Sequence, residues 1–111
     1  MHNKETFGEI IRNLRELQGL PIRKVAAHLD IDPSTLSKIE RGDRNANRDQ
    51  VVKLSSILNI DEKSLMIDFL SDKVARELLY EEHSKEVLLA AEDKINYVRS
   101  TNVKQSRIDF E

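Results

Sequence analysis

Residues 20–44 read LPIRKVAAHLDIDPSTLSKIERGDR, and the spacing within this stretch predicts two short helices joined by a tight turn. Leu20-Pro21 opens the first helix, because the missing proline N–H is one that a helix start leaves unpaired anyway. Val25, Ala26 and Leu29 recur at helical spacing and form its inward face. Asp30-Ile31-Asp32 is the connection, and Asp30 is a residue type that accepts positive φ. Asp32 can cap a second helix that has Pro33 at its first position. Leu36 and Ile39 are the buried pair of that helix and Gly42 stops it, which places it at residues 33–41.

On either side the same signals continue. Thr6-Phe-Gly-Glu9 is a capping box, in which hydroxyl and carboxylate satisfy the unpaired amides of a helix start. Phe7, Ile10, Ile11, Leu14 and Leu17 follow as an apolar stripe, and Gly19 ends a first helix of about residues 7–18. After an Asp43–Ala46 loop, Asn47-Arg-Asp-Gln50 repeats the capping-box logic for a helix carrying Val51, Leu54, Ile57 and Leu58. Asp61 caps a fifth with Leu65, Met66, Phe69 and Leu70. Ser71-Asp72 can start another helix with Val74, Ala75, Leu78 and Leu79 on one side. Glu81-Glu-His-Ser84 interrupts that stripe, and Ser84 can cap a last helix with Val87, Leu88, Ala91, Ile95 and Val98 inward. Residues 100–111, STNVKQSRIDFE, are polar and aperiodic and read as a flexible tail. The expected organisation is a five-helix domain over residues 1–70, a helical extension over 71–99 suited to dimerisation, and the tail.

Composition agrees with an all-α chain. Its 111 residues suit one domain of ordinary size, and three glycines and two prolines are too few for a sandwich or a disordered tract. With no cysteine, disulfides and thiolate metal sites are excluded. No stretch approaches the ~18 apolar residues of a membrane span, and MHNKETFGEI lacks the apolar core of a signal peptide. A cytoplasmic protein is the expectation. Net charge is −2, but residues 1–60 carry ten Lys/Arg against eight Asp/Glu, whereas residues 61–111 carry eight against twelve. Any anionic partner should meet the N-terminal half.

Two short helices, a three-residue turn and a basic loop make a helix-turn-helix, the arrangement that presents the outer side chains of its second helix to the DNA major groove. The physical demands are met here: small Ala26 for close helix crossing, Asp30 in the turn, apolar Ile31 after it, and Leu36 and Ile39 as locks. The run Gly19-Leu20, Val25-Ala26, Leu29-Asp-Ile31, Leu36-Ser-Lys-Ile39-Glu40-Arg-Gly42 and Leu54…Ile57-Leu58-Asn-Ile60 resembles the lambda-repressor/Cro-like (Xre-type) helix-turn-helix domain over about residues 6–66. That resemblance implies a five-helix domain binding operator DNA as a dimer, and a structural ion pair between Arg15 and Glu40. The wider pattern is similar to small bacterial regulators found beside DNA methyltransferases, including controller proteins of restriction–modification systems. Phage-type repressors and antitoxins are alternatives.

Three positions depart from the family pattern. Ile22 stands where a phosphate-holding glutamine is common, Asp30 replaces the usual turn glycine, and Pro21 replaces the usual cap of the first motif helix. Arg23 and Lys24 are the neighbouring candidates for phosphate binding. Pro33 offers no side-chain donor, so base reading falls to Ser34, Thr35, Ser37 and Lys38. Lys38 suits guanine O6/N7, and Thr35 suits a hydroxyl or thymine-methyl contact. Arg41, Arg44, Asn45 and Arg48 flank the groove and suit phosphates. With Glu40 tied to Arg15, the expected free positive charges are Lys38, Arg41 and Arg44.

Other chemistry is poorly supported. Asp30 and Asp32 are accounted for as turn and cap rather than as a metal or acid–base pair. His2, His28 and His83 lack ligand spacing, and no base is placed to activate Ser34, Thr35 or Ser37. Phe7, Phe69, Tyr80, Tyr97 and Phe110 are too dispersed for a base-stacking platform. The expectation is a non-enzymatic regulator without cofactor or metal. Its partners would be double-stranded DNA with a palindromic operator, a second copy of the chain, and the transcription machinery. The competing reading is a helical interaction module or antitoxin whose acidic C-terminal part binds a protein.

Overall fold

The computed structural model describes residues 4–105, with side chains to residue 101. Six helices follow in order: α1 (Phe7–Leu17), α2 (Ile22–His28), α3 (Pro33–Arg41), α4 (Arg48–Ile57), α5 (Glu62–Leu78) and α6 (Ser84–Gln105). No strand occurs among the described residues. The chain divides between Arg76 and Glu77 into two compact units.

The first unit owes much of its order to local signals at its helix ends. Thr6 and Glu9 close the capping box of α1, and Asn47 and Gln50 close that of α4. Asp61 Oδ2 accepts from the Ser64 amide at 2.9 Å at the start of α5. At the end of α2, the Ile31 amide donates to the Ala26 carbonyl and the Asp30 amide to the Ala27 carbonyl, both at 3.0 Å. This is the Schellman closure. It requires Asp30 to adopt φ 59°, the conformation for which its residue type was singled out. Asn59, at φ 56°, does the same after α4.

α3 packs against both α1 and α2, and α4 packs against α2. Ile11, Val25, Leu36, Val51, Leu54, Leu58 and Leu65 are fully buried between them. Phe69 of α5 closes the core edge-on against Phe7, with ring centroids 5.4 Å apart. Ala46 is also buried and pins the α3–α4 loop to the core.

Local expectations fail at several points, each for a physical reason. Asp32 occupies the residue before α3 but its side chain makes no cap hydrogen bond. Pro33 has no N–H, and the Thr35 amide, the usual target, donates to the Asp32 main-chain carbonyl at 3.0 Å. Leu17 is exposed at the end of α1, where the adjacent Gln18 caps the neighbouring segment by donating from Nε2 to the Leu58 carbonyl at 2.7 Å. No new helix starts at Ser71, since α5 runs unbroken from Glu62 to Leu78. The Ser71 hydroxyl bonds back to the Asp68 carbonyl at 3.1 Å within the helix, and Asp72 pairs with Arg76 one turn on at 3.6 Å. Both hold the helix together where a break was expected.

The second unit contains α6, which continues to Gln105 and so takes in residues 100–105 of the expected tail; residues 106–111 lie outside the described residues. Leu79, Tyr80, Val87, Leu88, Leu89, Ile95 and Tyr97 are all exposed. Ala91 is exposed too and Val98 is half-buried. Within this unit the stripe expected to face inward therefore has no core beneath it.

Candidate nucleic-acid interface

α3 is held by one side and offers the other. Leu36, Ile39 and Glu40 are buried. At ~100° per residue, the opposite side carries Ser34, Lys38 and Arg41, all exposed. Thr35 and Ser37, both half-buried, stand at the two shoulders of this ridge. Pro33 is exposed at the start of the helix.

The angle of the ridge is set by an ion pair below it. Arg15 Nε donates to Glu40 Oε2 at 2.7 Å and its Nη2 to Oε1 at 3.1 Å, while Nη1 donates to the Leu20 carbonyl at 2.9 Å. The Glu40 side chain is only 5% exposed. A buried carboxylate needs such a complete set of partners. The hydrogen bond to Glu40 raises the Arg15 pKa above its already high ordinary value, burial opposes this, and the charges of Glu40 and Glu16 add to the rise. α1, the α1–α2 loop and α3 are thereby tied at one point.

Gly8 provides the second constraint. A Cβ there would lie 2.5 Å from the main-chain oxygens of both Ile39 and Glu40. α1 thus touches the backbone of α3 directly, and only glycine fits. The sequence signal for this was obscured, because Gly8 lies inside a capping box that explains the segment by itself.

Two concavities border the ridge. On the Thr35 side, an open groove of about 590 Å³ is lined by the α2–α3 turn, the α3–α4 loop and the start of α4. Thr35, Arg44 and Asn45 meet there, together with Asp30 and Asp32. On the Ser37 side, a smaller concavity of about 260 Å³ is lined by Arg12, Arg15, Ile22, Ser37, Glu40 and Arg41.

The cations differ in how they are held. The side chains of Lys38, Arg44 and Arg48, and those of Arg23 and Lys24 on α2, are exposed and form no hydrogen bond or ion pair with any described residue. Arg41 is not free as expected: its Nε lies 3.2 Å from Asp43 Oδ2 and its Nη1 donates to Ser37 Oγ at 2.9 Å. Asp43 follows Gly42, whose left-handed φ of 83° turns the chain back, so a carboxylate two residues on can reach the guanidinium. Arg12, which no sequence signal singles out, joins Ser37 and Arg41 in the smaller concavity. In sequence, Arg12 and Glu16 read as an ordinary i,i+4 surface pair.

No group of His, Asp or Glu among the described residues could hold a metal ion, and no described helix is long and apolar enough to cross a membrane.

Comparison with known proteins agrees with this geometry. A helix-turn-helix family model matches residues 11–65, which contain α2, the turn and α3. The chain is 33% identical over 61 residues to the uncharacterized HTH-type transcriptional regulator RghRB of Bacillus subtilis (strain 168). It is also 33% identical over 61 residues to the control protein C.BamHI of Bacillus amyloliquefaciens. The shared segment is 54% of this chain in both cases, 44% of RghRB and 75% of C.BamHI. No solved structure matches at comparable stringency. The chain belongs to the lambda-repressor-like (Xre-type) helix-turn-helix family of DNA-binding transcription regulators.

Proposed function

We infer that this protein is a sequence-specific regulator that binds a palindromic double-stranded operator as a homodimer, with α3 as the recognition helix in the major groove. The observation that carries this reading is the division of α3. Three of its side chains are locked into the core and an uncommitted polar ridge of Ser34 and Lys38 faces outward. Lys38, without an ion-pair partner, is available for guanine, and Ser34 and Thr35 for neighbouring bases. Arg23, Lys24, Arg44, Asn45 and Arg48 surround the ridge as phosphate contacts that give affinity through counterion release. Arg41 and Ser37 contribute once the Asp43 pair is exchanged for phosphate.

The second unit supports the dimer. Leu88, Ala91, Ile95 and Val98 alternate three and four residues apart, which is the seam repeat of paired helices. A palindromic operator requires two recognition helices related by a two-fold axis. The likeness to C.BamHI favours a controller of a restriction–modification operon among the bacterial regulators considered. The exposed face of α6 equally fits the second reading, an antitoxin-like module that binds a different protein.

Selection from a random DNA pool tests the proposal: a recovered palindrome with constant half-site spacing supports the dimeric regulator. Lys38→Ala should cost ~1–3 kcal/mol at one operator position and relax specificity there. If Lys38→Ala binds the selected operator as the parent does, the recognition-helix assignment fails. A parent chain that recovers no sequence, yet associates with another protein, supports the second reading.

A further inference from the structure

We propose that Arg12 of α1 is a DNA-backbone contact, kept in reserve by Glu16 and released from it when a phosphate enters the concavity beside α3. The proposal rests on the DNA-binding reading and adds to it a contact from outside the helix-turn-helix itself.

Four charges form a chain that runs inward from solvent. Arg12 Nε lies 3.2 Å from Glu16 Oε2, the same oxygen lies 3.9 Å from Arg15 Nη2, and Arg15 holds Glu40 at 2.7 Å. The inner end is committed, because Glu40 is buried and fully bonded. The outer end is not: the Arg12 and Glu16 side chains are 56% and 53% exposed. An exposed pair of this kind contributes little to stability, so exchanging its carboxylate for a phosphate oxygen costs little.

Position supplies the rest of the argument. Arg12 lines the concavity that also holds Ser37 and Arg41 of α3. Arg41 is likewise held by an exposed carboxylate, Asp43, at 3.2 Å. Besides Arg15, which is committed to Glu40, two guanidiniums and a hydroxyl therefore line one open space next to the exposed ridge, and each of these two guanidiniums has a displaceable counter-charge. Planar guanidinium groups suit bidentate phosphate binding. The chemistry selects no base, so the ligand is the sugar–phosphate backbone running past α3.

The test measures binding of the full chain to its selected operator and to a scrambled duplex, each over a range of salt. Arg12→Gln should weaken both duplexes alike and lower the salt slope by about 0.9. That slope corresponds to roughly eightfold at ~0.1 M salt, vanishing towards ~1 M. Glu16→Gln should tighten both by up to about fivefold, the range of an exposed pair. In the double variant the gain from Glu16→Gln should disappear, because no guanidinium remains to be released. An unchanged slope for Arg12→Gln overturns the proposal. So does a Glu16→Gln gain that persists without Arg12, which would mark general repulsion between carboxylate and DNA. Lys38→Ala, run in parallel, separates the two levels: if it loses the operator while Arg12→Gln does not, only this contact fails. If neither variant matters, the DNA reading fails with it.

Discussion

Among the described residues, 4–76 and 77–105 are both largely helical and both carry apolar residues at helical spacing, yet only the first set covers most of them. In the first unit, Leu36, Leu54, Leu58 and Leu65 are no more than 1% exposed. In the second, Leu88 is 47% and Leu89 56% exposed. Both regions satisfy the same local rule for an amphipathic helix. They differ in whether other elements of the same chain return to cover the apolar side. The first unit has five helix segments joined by short turns, so most of each stripe meets another element. Within the second unit α6 has no such set of neighbours, and its apolar residues are exposed.

That contrast can be attacked at four places. The largest effect is expected at the buried ion pair of the first unit. Glu40→Ala leaves Arg15 without its partner beside the core and should destabilise by about 3–5 kcal/mol, measured by urea unfolding. A loss under about 1 kcal/mol would mean that α3 is not anchored there. Gly8→Ala comes next, at about 1–3 kcal/mol, because a Cβ must push α1 away from the α3 backbone. Its thermal midpoint should fall and operator binding should weaken with it, as the ridge of α3 tilts.

Asp30→Gly should act in the opposite direction. It relieves a non-glycine residue at φ 59° and should stabilise by about 0.5–1 kcal/mol. It also removes a negative charge from the groove shared with Arg44, so DNA affinity should rise together with the midpoint. Unchanged stability would show that the aspartate is at ease in the turn. The smallest folding effect is expected in the second unit. Ile95→Asp should shift unfolding of the first unit by less than about 0.5 kcal/mol, yet abolish self-association in analytical ultracentrifugation. A dimer that survives this change would move the seam away from α6.

Much of the first unit was legible because its signals are local. Capping boxes at Thr6 and Asn47, the turn at Asp30 and the stop at Gly42 each depend on a few consecutive residues. The bounds of α3 could be read directly from Pro33 and Gly42. The Arg15–Glu40 pair was legible only through family resemblance, since 25 residues separate the partners. The state of the surface cations was not legible. The i,i+4 spacing allows the Arg41–Ser37 contact, but nothing in the spacing indicates that Arg41 is held by Asp43 while Arg44, three residues on, has no partner among the described residues. The continuity of α5 was also missed, because a serine–aspartate pair caps a helix in one setting and bonds back within it in another.

The sequence by itself therefore determined the first four helices, their approximate ends and most of the face each turns inward, because those follow from backbone hydrogen bonding and the helical period. It also determined the motif and hence the family. Tertiary structure alone decided what meets what: the backbone contact at Gly8, the convergence of Arg12 with Ser37 and Arg41, and the exposure of the apolar residues of α6 within its own unit. Those outcomes depend on which surfaces are brought together across long stretches of chain. A periodic pattern records that a face seeks cover, and only the packed molecule records whether its own chain provides it.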